Sequence, residues 1–389
     1  MKSYGWSKSV LALLVAAAAA GAQAQETITL GLSLPLSGAG ASYGKGVEWM
    51  CQRAAQEVNA AGGVKVQGKA HKLNCLAYDN KYTAAEGTKV ARTLLDRDNA
   101  KYIFAMGTAP ILALQSLSER QGAFLFNSSW GMSSKGPKFP LTYAVFNSPV
   151  ELVPGVIRFI QKAHPQAKTV AMLNVNDATG KESESIARPM WEKAGYKIVA
   201  NDFYERGTTE FQPIASRLAA FKADIIDLTT PPPAEAGQIL KELHSLGAGG
   251  IKILDNGSSV GSVKVTAPDA ALEGLYMGFA ILFDSAGTSD YQRRTNNELS
   301  AFLGEPMSMV HVAGYDAVYA LKAGMEKAQS IEPAAVAAAL RTTRYKGFFG
   351  DIGYGGKEAY GSDIQPQIPV YITQVVNGKL VERARIDAR

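Results

Sequence analysis

The sequence predicts an α/β fold of two doubly wound parallel-sheet lobes. Three observations predict it. From Ile28 to Asn127, strand and helix periodicities alternate in the order β-α-β-α-β-α-β, the signature of a parallel sheet with helices on both faces. From Tyr143 a second series of the same design begins, without obvious sequence repetition. The opening unit, ITLGLSLPLSGAGASYGKGVEWMCQRAAQEVNAA (28–61), is a strand, a small-residue loop and a helix in succession. Ligands of such sheets sit beyond the carboxyl ends of the strands, so the loop holding Ser37, Gly38 and Tyr43 is the first candidate piece of a binding site.

The chain has 389 residues and is 47% hydrophobic, enough for two lobes with separate cores. The net charge is +5, and Lys2 and Lys8 account for two of these charges. The remainder is weakly basic and has no dense Lys/Arg run, so nucleic-acid binding has little support. The first 24 residues read as a secretory signal: the two lysines, an apolar run from Val10 to Ala20, and Ala22-Gln23-Ala24 as a small-x-small cleavage site. Cleavage after Ala24 gives an exported, periplasmic chain starting at Gln25. No Cys follows the site to carry a lipid anchor, and no later segment has the ~20 apolar residues of a membrane span.

In the first unit, Ile28, Leu30, Leu32 and Leu34 alternate with small or polar residues as a strand does. Val47, Met50, Cys51, Ala54 and Val58 then share one helix face, and Ala61-Gly62-Gly63 stops the helix. Residues 64–72 read as a turn around Gly68, and 73–79 as the second strand. Thr83 to Glu86 forms a capping box for a helix to about Asp96. A strand at 102–106 precedes a helix capped by Thr108 or Ala109, with Pro110 in its first turn. A strand at 124–126 leads into Asn127-Ser128-Ser129-Trp130-Gly131. In the second series a strand at 143–146 precedes Ser148-Pro149-Val150-Glu151, a capping box with Pro at the first helical position. Strands at 169–174, 197–203, 224–228, 251–254 and 276–279 alternate with helices at 181–194, 211–221 and 234–246. Helices near 290–302, 311–328 and 333–341 follow, and the chain ends in a hairpin turned by Asn377-Gly378.

Cys51 lies on the buried face of the first helix and Cys75 in the next strand. In an exported protein the pair suggests a disulfide, two buried thiols being the alternative. No metal-ligand or redox spacing is present, and His71, His164, His244 and His311 are scattered. Gly38, Gly40 and Gly44 lack the acidic residue that a dinucleotide site places ~20 residues on. Gly44-Lys45 and Gly180-Lys181 lack the rest of a phosphate loop, and there is no G-x-S-x-G elbow. No cofactor is expected, and the residues favour binding over catalysis. Trp130 is either packed under its loop or an aromatic wall. The Ser128 and Ser129 hydroxyls and the N–H groups of 129–131 suit a carboxylate, helped by the helix N-terminus after Gly107. Tyr43 lines the pocket or packs the helix entry, and Pro231-Pro232-Pro233 is a rigid helix start on the cleft side.

LGLSLPLSGAGASYGKG, EVNAAGG, LAYDN, EFQPIASRLAAFKADIIDL and AGYDAVYAL, in an exported chain, together resemble one family. It is that of the periplasmic leucine/isoleucine/valine-binding proteins, the solute receptors of branched-chain amino acid ABC transporters. The resemblance covers nearly all of the mature chain. It implies a type I periplasmic binding fold with three hinge crossovers, here near 146–149, 278–282 and 349–352. Lobe one is then 26–147 with 280–350, and lobe two 148–279 with 351–389. It also implies hinge closure around one ligand, a membrane permease as partner, and a monomer. Position by position, Tyr43 matches a tyrosine of the first loop. Ala109 and Pro110 fall where amino-acid receptors carry a carboxylate-binding serine. Ser129, Trp130 and Gly131 fall on a third loop that supplies backbone and hydroxyl groups to the carboxylate. Thr179 stands at one pocket tyrosine, with Pro232 and Pro233 near a second. Ser258 is nearest to the glutamate that accepts the ligand ammonium, and Asp255 substitutes for it only if its side chain reaches the cleft. A buried ammonium without an anionic partner is costly. The ligand expected is therefore a small apolar or aromatic carboxylate, with a branched-chain amino acid or an amide next. A sensing subunit for a membrane signalling protein and a secreted α/β enzyme are the alternatives.

Overall fold

The computed structural model describes residues 26–278, 280–283 and 287–387. The expected signal segment, Phe279 and Asp284 lie outside them. Six strands form the first sheet: β1 (Thr27–Leu34), β2 (Val64–Val66), β3 (Lys69–Asp79), β4 (Tyr102–Ala105), β5 (Phe124–Asn127) and β6 (Thr142–Ala144), in the order β2-β3-β1-β4-β5-β6. All neighbours are parallel except β2 and β3. β1 lies centrally, and Leu30 to Leu34 are buried on both faces rather than alternately. Its small residues serve the second face: a Cβ on Gly31 would come within 2.6 Å of Leu94.

Residues 64–72 are not a simple turn. They form the β2–β3 hairpin, whose two turn residues, Gln67 and Gly68, take φ of 49° and 76°. Three residues on each side are too few for alternation to show in the sequence. Thr83 accepts the Glu86 N–H at 3.2 Å, and its helix Ala84–Arg92 runs on as a wider turn, Thr93–Arg97. The helix Thr108–Arg120 is capped by Gly107 at φ 92°, not by Thr108 or Ala109, both of which are already helical. Strand β6 closes the first sheet instead of opening the second, so the second series begins with helix Pro149–Ala163, capped by the Ser148–Glu151 box.

The second sheet holds seven strands: β7 (Thr169–Val175), β8 (Lys197–Tyr204), β9 (Ile225–Asp227), β10 (Ile251–Leu254) and β11 (Tyr276–Gly278), with the C-terminal hairpin added at its edge. Two short ladders come first, β12 (Tyr345–Gly347) with β13 (Gly350–Ile352) and β14 (Tyr354–Gly355) with β15 (Gln365–Pro366). The hairpin is β16 (Val370–Val376) and β17 (Lys379–Ile386), turned by Asn377 and Gly378 at φ 50° and 72°. The order is β17-β16-β11-β10-β9-β7-β8.

The chain passes between the sheets three times, giving the two-lobed type I architecture. It leaves the first core after Phe146 and enters the second at Val153. It returns between Ala280 and Ile281. Ile352, Tyr354, Tyr360, Ile364 and Ile368 still pack in the first core. The third passage therefore lies at β16, beyond the 349–352 read from the sequence. Helix Met309–Ala328 also packs in the first core, against helix Ala41–Ala60. Glycines let the two helices touch: a Cβ on Gly314 would lie 2.2 Å from the Val47 carbonyl oxygen, and one on Gly46 2.4 Å from His311. Cys51 and Cys75 are disulfide-bonded, Cα to Cα 6.2 Å, tying that helix to β3.

Candidate ligand-binding site

The strand-end loops of both sheets face each other across one cleft, and each is held by a side chain at its strand end. Asp79 accepts the Leu36 N–H at 2.9 Å and the Ser37 hydroxyl at 2.6 Å, shaping the first loop. Asn80 donates to the Ser33 and Met106 carbonyls and accepts the Tyr82 N–H at 2.9 Å. That turn puts Tyr82 at φ 61°, a strained conformation for an aromatic residue. Its ring stands over Gly40 and Gly107, where a Cβ would come within 2.9 and 3.1 Å of it. Asn127 holds the third loop, accepting the Ser129 N–H at 2.7 Å and donating to the Ser134 carbonyl at 3.1 Å.

In the second lobe Asp177 caps helix Ala178–Lys193 by accepting the Gly180 N–H at 3.1 Å. The same carboxylate takes both Nε and Nη2 of Arg206 at 2.7 Å. The guanidinium thus lies across the cleft, 4.4 Å from the Tyr82 ring centroid. The lobes also meet where the Thr179 hydroxyl donates to Thr108 at 3.2 Å, where Tyr43 and Ser258 hydroxyls lie 3.0 Å apart, and where Ser133 bonds Glu182 through its N–H and hydroxyl.

Between these contacts lies a cavity. Its apolar lining includes Tyr43, Tyr82, Met106, Trp130, Phe146 and Val310, and its polar lining Ser128, Thr179, Arg206, Thr229, Thr230 and Asn256. Among the described residues Arg206 is the one charged side chain in that lining. The Ser128 hydroxyl is buried without a partner among the described residues. Burial raises the Tyr43 phenol well above its ordinary range, so it stays neutral. Among the described residues no cluster of three His, Cys, Asp or Glu could hold a metal ion.

Of the residues the sequence singled out, Tyr43, Trp130, Thr179 and Pro232 line the cavity, and Ser258 adjoins it through Tyr43. The others stand behind it. Ser129 donates to Thr108 at 3.4 Å and accepts the Gly131 N–H at 3.1 Å, whereas its neighbour Ser128 is the serine of this loop that lines the cavity. Gly131 makes room for Glu182, whose carboxylate oxygen would lie 1.3 Å from a Cβ there. Pro110 packs on the helix before it, 2.6 Å from where a Gly87 Cβ would stand, and Ala109 lies beside it on the same helical turn. Pro233 is the buried first residue of its helix. Asp255 does not reach the cleft: its carboxyl lies against Gly278, both oxygens unpartnered. Burial first, and then the Asp227 charge, push it up to about 8. Sequence reasoning missed Arg206 and Tyr82. Both follow a strand directly, Arg206 after β8 and Tyr82 after β3, so the strand-end rule could have found them.

Residues 27–379 match the model of the periplasmic binding protein family. A Leu/Ile/Val-binding protein of Rhizobium johnstonii, BraC3, is 30% identical over 175 residues, 45% of this chain and 46% of that protein. That match therefore spans about half the length of the relative. The leucine-binding protein LivK of Thermotoga maritima shares the fold at a TM-score of 0.77 and 19% identity, over 92% of this chain and 99% of that one. A solute-binding protein of an ABC transporter from Rhodopseudomonas palustris BisB5, in complex with 3,4-dihydroxybenzoic acid, has a TM-score of 0.77 at 20% identity, over 93% and 98%. The relatives are solute binders rather than enzymes, and among the described residues no helix is long and apolar enough to cross a membrane. With its two lobes, three crossovers and one cleft, the chain belongs to the periplasmic binding protein family.

Proposed function

We propose that this chain is the solute receptor of an ABC importer and binds a small aromatic or apolar carboxylate. One observation carries the reading: among the described residues, the only charge lining the cavity is the Arg206 guanidinium. An anion placed there gains a charge-assisted partner, and the unpartnered Ser128 hydroxyl supplies a second donor. An ammonium would find no anionic side chain among the described lining residues, since the Asp255 carboxyl lies against Gly278 outside the lining. The Trp130, Phe146 and Tyr43 rings suit a flat or branched apolar body. The dihydroxybenzoate complex of the Rhodopseudomonas relative favours the same class, and the Leu/Ile/Val-binding relative favours an amino acid. In this reading the chain is exported after cleavage at Ala24, acts as a monomer and presents its closed form to a permease. Lobe one comprises 26–147 and a return segment from about 280 into the 360s, and lobe two the rest. The ligand touches both lobes only when they are closed, so binding shifts the open–closed equilibrium.

Native mass spectrometry of whatever co-purifies, followed by titration calorimetry with deamino pairs, tests the proposal. Phenylpropanoate should bind at least as tightly as phenylalanine, and 4-methylpentanoate as tightly as leucine. Amino acids binding far tighter than their deamino partners would reveal an ammonium site and overturn the reading.

A further inference from the structure

The hydrogen-bond directions around the cavity constrain the ligand beyond its carboxylate. The Asn256 amide is oriented without ambiguity: Nδ2 donates to the Pro231 carbonyl at 2.6 Å, and Oδ1 accepts the Ser258 N–H at 3.1 Å. Ser258 Oγ lies 2.6 Å from that same Oδ1 and donates its one proton to it. In the 3.0 Å contact with Tyr43, Ser258 therefore has only lone pairs left, and Tyr43 must be the donor. The Tyr43 oxygen is thus left with lone pairs only for any further partner. Thr229 reaches the same condition separately. Its hydroxyl donates at 2.5 Å to Asp227, whose oxygens also accept the Thr229 N–H and the Trp191 indole N–H, each at 3.0 Å. Both residues line the cavity, both hydroxyls have their protons committed within the protein, and neither carries charge.

We infer that the ligand carries, besides its carboxylate, a neutral hydrogen-bond donor such as a hydroxyl, received by the Tyr43 and Thr229 oxygens. This inference rests on the carboxylate reading above. The cavity separates its polarity: Arg206 and Ser128 offer donors, whereas Tyr43 and Thr229 offer acceptors. A ligand of the matching kind is a hydroxy-substituted aromatic or aliphatic acid. An ether oxygen in the same position would face lone pair to lone pair.

Titration calorimetry with matched hydroxy and methoxy acids on benzoate, phenylacetate and C4–C6 aliphatic skeletons tests this on the full mature chain. On the best-fitting skeleton the hydroxy acid should bind about tenfold tighter than its methyl ether, the scale of a neutral hydrogen bond and its unmet counterpart. Tyr43→Phe and Thr229→Val should each shrink that ratio several-fold. Reading the ratio rather than the affinity removes any general loss of closure caused by breaking the Tyr43–Ser258 contact. Carboxylates that bind with equal affinity whether or not they carry the donor overturn this inference and leave the receptor reading standing. No carboxylate binding on any skeleton overturns the receptor reading and this inference with it.

Discussion

Replacing Arg206 by Gln removes the only charge among the described lining residues while keeping a planar polar group of similar reach. The structure sets the size of the effect. Asp177 already takes Nε and Nη2 of the guanidinium at 2.7 Å, so part of its charge is neutralised within the lobe. The Nη1 edge has no hydrogen-bond partner among the described residues and is what remains for a ligand. A hydrogen bond to a charged group contributes about 1.5–3 kcal/mol, and sharing with Asp177 places this one near ~2 kcal/mol, a roughly 30-fold loss of affinity. Fold stability should change little, because Asp177 keeps its capping bond to the Gly180 N–H. The assay is calorimetry of Arg206→Gln against the best carboxylate and its primary amide, with chemical denaturation as the control. The carboxylate should lose about 30-fold and the amide less than threefold. Equal losses for acid and amide in a fully folded variant would refute Arg206 as the countercharge.

The remaining predictions concern closure, the disulfide and a buried acid. Gly131→Ala puts a Cβ 1.3 Å from a Glu182 oxygen and 2.7 Å from its Cβ, so it should weaken ligand binding at least tenfold without unfolding the first lobe, as calorimetry and circular dichroism would show. Reducing the Cys51–Cys75 bond, which closes a loop of separation 24, should cost about 3 kcal/mol in denaturant titrations, and no change would show that the bond does not form in the exported protein. The Asp255 carboxyl is raised to about 8 in the fold, so the native state holds a proton that the unfolded chain has lost above its ordinary carboxylate range. Its contribution is therefore present at low pH and is lost as pH rises from about 4 to about 8, at up to ~1.4 kcal/mol per pH unit. Asp255→Asn should flatten that slope, so its stability relative to the parent should rise between pH 5 and pH 8 in urea titrations.

Much of the architecture was legible because the signals were long. Central β1 and helix Ala41–Ala60 carry strong apolar patterns, and the Ser148 box and the Asn377-Gly378 turn are local chemistries that tertiary context did not override. What the sequence did not show was short or long-range. The β2–β3 hairpin has three paired residues, below the length at which alternation can be read. The membership of β6 depends on pairing with β5 and not on its own residues. At the site, the strand-end rule located the loops but not the side chains within them. Ser128 and Ser129 differ in role only because Asn127 captures the Ser129 N–H, which turns one hydroxyl toward Thr108 and Gly131 and leaves the other serine lining the cavity. Arg206 was hidden for a related reason: its orientation comes from Asp177, 29 residues earlier, and from an aromatic ring on the other lobe.

In the proposed reading, binding and closure are coupled through these polar groups. Lobe–lobe contacts among the described residues that need no ligand include Tyr43 with Ser258, Thr108 with Thr179, Tyr82 with Arg206 and Ser133 with Glu182. Each exchanges bonds to water for bonds across the cleft, a net gain of about 1 kcal/mol or less apiece. Opposing them, closure dehydrates the Ser128 hydroxyl without giving it a protein partner, at about 1–3 kcal/mol. The contacts that favour closure and the group that resists it are therefore of similar size. In the proposed reading, a carboxylate removes the resistance by satisfying Ser128 and the free edge of Arg206 together, which requires both lobes around it. On that reading affinity and closure share one cause, the polar groups left unmet in the cavity, and the apolar wall of Trp130 and Phe146 would select among carboxylates.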